Sequence, residues 1–262
     1  MKKFLLSAGL TCLVLLWIVG TSFAYEDLVI YYSFDQLDGD NVPDMSGHGH
    51  DGAINGDITL ADGKNGMAAK FTTGSFLDLD GANIPAEDIP TSDFSLCAWI
   101  KCENTGQDHS IFNARASDTT WLIHPDVRSG GQYRFCLRAY ESNEPNKICD
   151  IKEGTVAWDE WIHYAGTYSK ESGITALYIN GEPIAEIEAL APDLDIAGDW
   201  DLGARVGYNI DDSRPFTGLM DDFCILKKAL TQDEIQELME IGPATVQPQN
   251  SMTTTWGILK TR

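Results

Sequence analysis

Apolar residues recur at every second position in short runs along most of the chain, which is the period of half-buried strands. Residues 28–35 alternate well enough for a first strand, and residues 52–60 and 68–79 for two more, split by Asp62-Gly-Lys-Asn-Gly66. In residues 94–101, Phe94, Leu96, Ala98 and Ile100 fall on one face and Ser95, Cys97, Trp99 and Lys101 on the other. The first set is the better core candidate, which puts Trp99 on the opposite face of its sheet. Residues 110–115, 120–124, 133–139, 147–151, 202–208 and 219–226 add further strands, separated by Gly-, Asn- or Pro-bearing turns. Such spacing suits a sandwich or barrel rather than βαβ units. No repeat of 20–50 residues is visible.

The pattern is densest over residues 161–188. An aromatic-rich run from Trp161 to Tyr168 meets a polar turn at 169–173, then a β-branched and aromatic run at 174–179. Asn180-Gly181 closes a tight hairpin, because both residues tolerate the positive φ of a type I′ turn. Pro183 opens the return strand, where a missing N–H does least harm. A two-stranded ribbon is marginal alone in water, so this meander belongs to a larger sheet. One helix has a clear start: Thr231 caps it, Glu234 completes a capping box, and Leu230 and Ile235 occupy the staple positions. Ile235, Leu238 and Met239 share a stripe, and Gly242-Pro243 ends the helix. Residues 242–262 read as a polar tail in which only Trp256 and Ile258 look able to dock.

Trp161-x-His-x-Ala-Gly-Thr-Tyr168 followed by Leu177-Tyr-Ile-Asn-Gly-Glu-Pro183 resembles the centre of a laminin-G-like, pentraxin-like domain. Three more segments fit in order: Tyr32-Ser-Phe-Asp35 with Asp44-Met-Ser-Gly-His-Gly-His-Asp-Gly52, Phe94-Ser-Leu-Cys-Ala-Trp-Ile100, and Gly218-Leu-Met-Asp-Asp-Phe-Cys-Ile-Leu226 before Leu230. The resemblance covers residues 28–239. It implies an all-β, two-sheet antiparallel jelly-roll sandwich of the concanavalin A type over residues 25–241, with one short C-terminal helix. That family binds carbohydrates, proteins and calcium on one scaffold, so the ligand does not follow from the fold.

The two ends and the charge narrow the class. Lys2 and Lys3, an apolar run over 4–20 and Ser22-Phe23-Ala24 form a signal peptide, residues 1–24. The run is short for a membrane span, and Cys12 lacks the context of a lipid anchor. The expectation is a secreted or cell-envelope protein with no membrane insertion after signal removal. With 18 basic and 40 acidic residues the net charge is −22, which argues against nucleic acid and anionic membranes. Beyond residue 24 there are five cysteines, and export permits disulfides. Cys136 and Cys149 flank a loop at 141–146 and are the first choice for a bridge. Cys97 and Cys224 are the second, leaving Cys102 free; small buried apolar residues are the plainer reading of Cys97 and Cys224.

The candidate chemistry is a calcium site. Asp44 and Asp51 flank a glycine-rich loop, and in a jelly roll the first and last strands lie close, which brings in Asp221 or Asp222. Those two are consecutive in a strand and face opposite sides, so only one is expected to ligate. Exposed carboxylates in an Asx-type turn are the plainer alternative. His48 and His50 with Asp44 invite a zinc reading, against which loop histidines are more often simply solvated. His163, mid-strand, reads as a core residue. Glu182, Glu186 and Glu188 come nearest to the paired glutamates of β-glucanases, but no Asp stands between them, so no hydrolase activity is expected. Aromatics near loops are the ligand candidates: Trp121, Tyr133, Tyr140, Trp200, Tyr208 and Phe216, of which Trp200 and Tyr208, with Asp211 and Arg214, are the most loop-like. Trp121 and Tyr133 read rather as sandwich packing. The function expected is a non-catalytic recognition module for a glycan or an extracellular protein, with a structural calcium. The alternatives are a structural or interaction protein of the cell envelope and, more weakly, a glucanase-like hydrolase.

Overall fold

The computed structural model of the chain describes residues 27–117, 121–139, 147–192, 194–196 and 198–243. The segment 1–24 expected to be a signal peptide, Tyr140, the loop 141–146 and the tail from 244 onward lie outside these residues. The strands are β1 (Leu28–Tyr32), β2 (Asn41–Val42), β3 (Gly52–Asn55), β4 (Ile58–Asp62), β5 (Met67–Phe71), β6 (Phe76–Asp78), β7 (Asp93–Cys102), β8 (His109–Ser110), β9 (Phe112–Arg115), β10 (Trp121–Ile123), β11 (Asp126–Val127), β12 (Tyr133–Arg138), β13 (Lys147–Glu153), β14 (Ile162–Ser169), β15 (Ile174–Ile179), β16 (Glu182–Glu188), β17 (Gly203–Val206) and β18 (Gly218–Leu226), with one helix, α1 (Gln232–Ile241). Every pairing among the described strands is antiparallel.

Two sheets result. The first runs β16-β15-β14-β7-β18-β5-β4, with β1 also on β18; the second runs β2-β3-β6-β17-β9-β10-β12-β11-β8, with β13 on β12. Their inner faces make one core. Phe94, Leu96, Ala98 and Ile100 of β7 enter it as the alternation requires, and Phe94 stacks on Phe135 of the second sheet at 6.2 Å. Gly166 of β14 makes room for that ring: a Cβ there would stand 2.4 Å from Phe135 Cδ2. The other face of the first sheet is covered by α1, whose Ile235 and Leu238 pack on Cys97, Ala165, Tyr178 and Cys224. The capping box forms as the sequence predicts, with Glu234 N–H donating to the Thr231 side chain and the Glu234 carboxylate accepting from Thr231 N–H. Asn180 and Gly181 take φ of 54° and 75°, the positive values the hairpin needs. Trp99 stands on the outer side, edge-on to His163 at 5.2 Å.

The disulfide expectation fails on register. β12 and β13 are neighbours, but Cys136 opposes Asp150 and Cys149 opposes Leu137. A one-residue offset puts the two thiols on opposite faces of the sheet. Cys149 joins the core, while Cys136 lies among the outward-facing positions. Cys97 and Cys224 are directly opposed across β7 and β18. All five described cysteines are free thiols in this structure.

Candidate functional site

The outward-facing positions of the second sheet carry its chemistry. Strand register places Asp78 beside Arg205, Arg205 beside Asn113, Arg115 beside Trp121, Arg134 beside Asp126, and Cys136 beside Asp150, all on the face away from the core. Of the seven arginines in the chain, Arg115, Arg128, Arg134, Arg138, Arg205 and Arg214 belong to this sheet or to the segments beside it. The loop 207–216 folds down across the face. Ile210 N–H donates to Asn113 Oδ1 at 3.0 Å, and Arg205 donates to the Asn209 carbonyl and to Asp212. Asp212 and Arg214 hold φ of 55° and 54°, which turns the loop sharply enough to aim Arg214 back at the sheet.

Asp126 is the hub. It is fully buried, yet its Oδ2 has His124 Nε2 at 3.0 Å, Arg128 and Arg134 at 3.4 Å and Arg214 at 3.8 Å. Arg134 also reaches Asp150 at 2.6 Å; burial pulls the Asp150 carboxyl up, but the hydrogen bonds and charges of Arg134, Lys147 and Lys152 together outweigh it and hold it well below the usual range. Burial, which outweighs the attraction of Asp126, lowers the pKa of His124 below its ordinary value.

Two aromatic clusters sit over this network. Half-buried Trp121 stacks on His124 at 5.1 Å, with the Arg115 guanidinium 4.5 Å and that of Arg214 5.8 Å from its ring. Arg115 is held in turn by Asp211 at 3.0 Å. On the other side of the loop, Phe76 meets Tyr208 at 5.7 Å under the Arg205 guanidinium. Cation–π contacts of this kind fix planar groups around a flat apolar surface. The structure therefore puts Tyr208, Asp211 and Arg214 on one loop across this face, with Asp211 and Arg214 on the Trp121 side and Tyr208 on the Phe76 side. It sends Trp200 elsewhere: that side chain is 1% exposed and packs edge-on against Phe112 in the core. Tyr133 and Phe216 are also core residues. Trp121, expected inside, is on this face instead. Of the arginines only Arg214 was singled out from the sequence, although six of the seven lie between 115 and 214, which was the available signal.

The aspartates expected to bind calcium part company. Asp44 accepts five hydrogen bonds, from the N–H of Tyr31, Ser46, Gly49 and His50 and from the Ser46 hydroxyl. Asp51 accepts from Asp44 N–H. This loop is an Asx-type knot that consumes the Asp44 lone pairs. Asp221 and Asp222 sit where β18 exchanges partners, with β5 on residues 218–220 and β1 on 223–226. A bulge with φ of 47° at Asp222 occurs there, so the two side chains do not simply alternate. Asp221 accepts from the N–H groups of Lys64 and Asn65 in the turn between β4 and β5. Asp222 accepts from Tyr31 hydroxyl and the Asn65 amide, and lines a pocket of about 270 Å³ with Asp35, Asn65, Gly66 and Glu240. Burial, assisted by Asp222, pushes the Asp221 carboxyl up to about 7 against the hydrogen bonds that oppose it. Neither residue has an ion-pair partner among the described residues. Oxygen donors and uncompensated charge are what a hard cation takes, and Asp222, Asp35, Asn65 and Glu240 are the oxygen-bearing residues of this pocket, although their three carboxylates do not all lie within 4.8 Å of one another.

Comparison with known proteins agrees with this architecture. A sequence profile of the concanavalin A-like lectin/glucanases superfamily matches residues 78–236, more than half of the chain. The chain belongs to that superfamily. The pentraxin-like resemblance is carried by Pentraxin-related protein PTX3 of Homo sapiens, 26% identical over 164 residues, which is 60% of this chain and 41% of PTX3. The chain thus spans under half the length of the curated relatives it matches. Among solved structures, domain 4 of AbnA, a GH43 extracellular arabinanase from Geobacillus stearothermophilus, in complex with arabinotriose, superposes with a TM-score of 0.56 at 23% identity, covering 81% of this chain and 98% of that one. The binding domain of botulinum neurotoxin DC, in complex with rat synaptotagmin II, superposes with a TM-score of 0.62 at 16% identity, covering 83% of this chain and 52% of that one. These likenesses establish the fold. In this concanavalin A-like domain Glu182, Glu186 and Glu188 lie along β16, the edge of the first sheet, where Glu182 accepts hydrogen bonds from Gln232 and Gln236 of α1. No described helix is long and apolar enough to cross a membrane.

Proposed function

We propose that this domain is a secreted, non-catalytic recognition module that binds a neutral glycan along the outer face of the second sheet, braced by a structural calcium. The observation that carries the reading is the concentration of arginine on that one face, with Arg115, Arg128, Arg134, Arg205 and Arg214 each beside a carboxylate and two of these guanidiniums over the Trp121 ring. A polyol is recognised by flat apolar surface together with fixed planar donors and acceptors at its edge. Trp121 with Arg115, Asp211 and Arg214, and Phe76 with Tyr208, Arg205 and Asp212, supply two such subsites side by side, which suits a chain of sugars. The pairing of charges argues for a neutral ligand. Arg115, Arg128, Arg134, Arg205 and Arg214 are already balanced, and a protein of net charge −22 repels polyanions. The arabinotriose complex of AbnA domain 4 supports a sugar ligand on this fold.

Affinity electrophoresis against neutral polysaccharides (arabinan, xylan, mixed-linkage glucan) and polyanionic controls tests the reading. The expected result is retardation by at least one neutral polymer and by none of the polyanions, abolished by Trp121→Ala and by Arg214→Ala. A chain that runs unretarded through the whole panel would reject the glycan ligand.

For calcium, Asp222, Asp35, Asn65 and Glu240 would have to close on the ion, because their three carboxylates do not all lie within 4.8 Å of one another, and the ion would neutralise the charge where β18 changes partners. A ligand that binds only the folded form raises the melting temperature. Melts in calcium and in chelator should therefore differ, and Asp222→Asn should remove the difference. Identical melts would remove calcium from the account.

A further inference from the structure

The loop that carries Asp44 and Asp51 holds a second constellation that neither the glycan face nor the calcium pocket uses. His48 Nδ1 stands 2.9 Å from Asp88 Oδ1, and His50 Nε2 stands 2.9 Å from Asp88 Oδ2. Among the described residues this is the one group of three such side chains whose ligand atoms all lie within 4.8 Å of one another. We infer that His48, His50 and Asp88 form a binding site for a borderline divalent transition metal of the zinc class.

Two imidazoles and one carboxylate are a donor set for zinc, nickel or copper rather than for calcium, which prefers oxygen alone. A tetrahedral ion held at about 2.0–2.1 Å from each ligand separates those ligands by roughly 3.4 Å, so the existing spacing needs only small side-chain rotations. Backbone geometry explains why alternate histidines converge. Gly47 and Gly49 hold φ of 96° and 82°, so the chain doubles back between the two rings, which lie stacked 5.9 Å apart. The Asp44 carboxylate grips the N–H groups of Gly49 and His50, and the buried Tyr32 hydroxyl donates to the His50 carbonyl at 2.6 Å. Asp88 arrives from the short turn Ala86–Asp88, anchored by the buried Ile84 and Ile89 on either side. Two of the three ligands are therefore fixed in advance: His50 and Asp88 are each 9% exposed. His48, with 32% of its side chain exposed, is at the rim and leaves the fourth position open to water. The third ligand is Asp88, not the nearby Asp44, whose lone pairs are already engaged.

Isothermal titration of metal-free protein with zinc chloride tests the site, with millimolar calcium present throughout to saturate oxygen-only sites. The expected result is one saturable zinc ion per chain, unaffected by calcium. His48→Ala and Asp88→Asn should each weaken it at least tenfold while leaving the far-ultraviolet circular dichroism unchanged. His48 is on the surface, so its loss does not threaten folding and the test survives if the buried substitution does. Absence of a one-to-one isotherm, or affinity that survives both substitutions, would overturn the assignment. Neither outcome depends on whether a glycan binds.

Discussion

Replacing Asp126 with Asn removes a charge and almost nothing else, which makes it the sharpest probe of the arginine face. The side chain is fully buried, and three guanidiniums lie within 3.4–3.8 Å of its Oδ2. At an effective dielectric of about 20, each unit pair at such distances is worth roughly 4–5 kcal/mol before desolvation is counted. Breaking a buried pair by removing one partner typically costs about 3–5 kcal/mol. Here every guanidinium keeps a second carboxylate: Asp150 for Arg134, and Asp108 for Arg128 and Arg214. The loss should therefore fall at the lower end, about 2–3 kcal/mol. Urea unfolding at pH 7 measures it by linear extrapolation. Asp211→Asn is the control on the same face. Its side chain is 33% exposed and it pairs with Arg115, so it should cost under about 1 kcal/mol. Equal losses for the two, or a loss below about 0.5 kcal/mol for Asp126→Asn, would mean that the buried charge does not organise the face.

Other consequences are testable in the same way. His163 is fully buried without a hydrogen bond on either ring nitrogen, and burial lowers its pKa to about 3 from the ordinary value near 6.5. The unfolded chain therefore takes up a proton that the folded chain refuses; stability is complete above pH 6.5 and falls as pH drops toward 3, by roughly 5 kcal/mol in all. His163→Leu should remove that part of the acid slope, whatever its offset at pH 8, and superimposable slopes would refute it. Gly166→Ala forces a methyl into the Phe135 ring and should cost about 1–3 kcal/mol by overpacking; a neutral result would mean the two sheets sit further apart than described. Mild oxidation should link Cys97 to Cys224 before any other pair, since only these two are directly opposed, and peptide mapping that finds Cys136 joined to Cys149 would contradict the register of β12 and β13.

Local signals were legible in the sequence and long-range registers were not. The Asn180-Gly181 hairpin, the Thr231 capping box and the alternation in 94–101 each depend on neighbours a few residues away, and each formed as read. Whether Cys136 and Cys149 meet depends on a one-residue offset between strands joined through 141–146, which no local pattern encodes. The bulge at Asp222 arises because β18 serves two partners in turn, a property of the whole sheet. Trp200 looked like a loop residue because Gly198-Asp-Trp-Asp201 is polar around it, yet the indole turns inward onto Phe112. Trp121 looked like core because its strand is short and apolar, and it turned out to share the outer face with Arg115. Of the residues named from sequence, Tyr208, Asp211 and Arg214 lie on the loop across the arginine face and Asp222 lines a pocket, while Asp44 and Asp51 spend themselves on holding their own loop together.

The central claim is that the Trp121 face of the second sheet, and no other, is where a sugar chain is held. Titrating a neutral oligosaccharide selected from the polysaccharide panel into the protein and into Trp121→Ala, by calorimetry under one set of conditions, tests it most directly. The account predicts one-to-one binding to the parent chain and at least a tenfold weakening in the variant, with the fold intact. Binding of equal strength to both would place the ligand elsewhere on the molecule and contradict it.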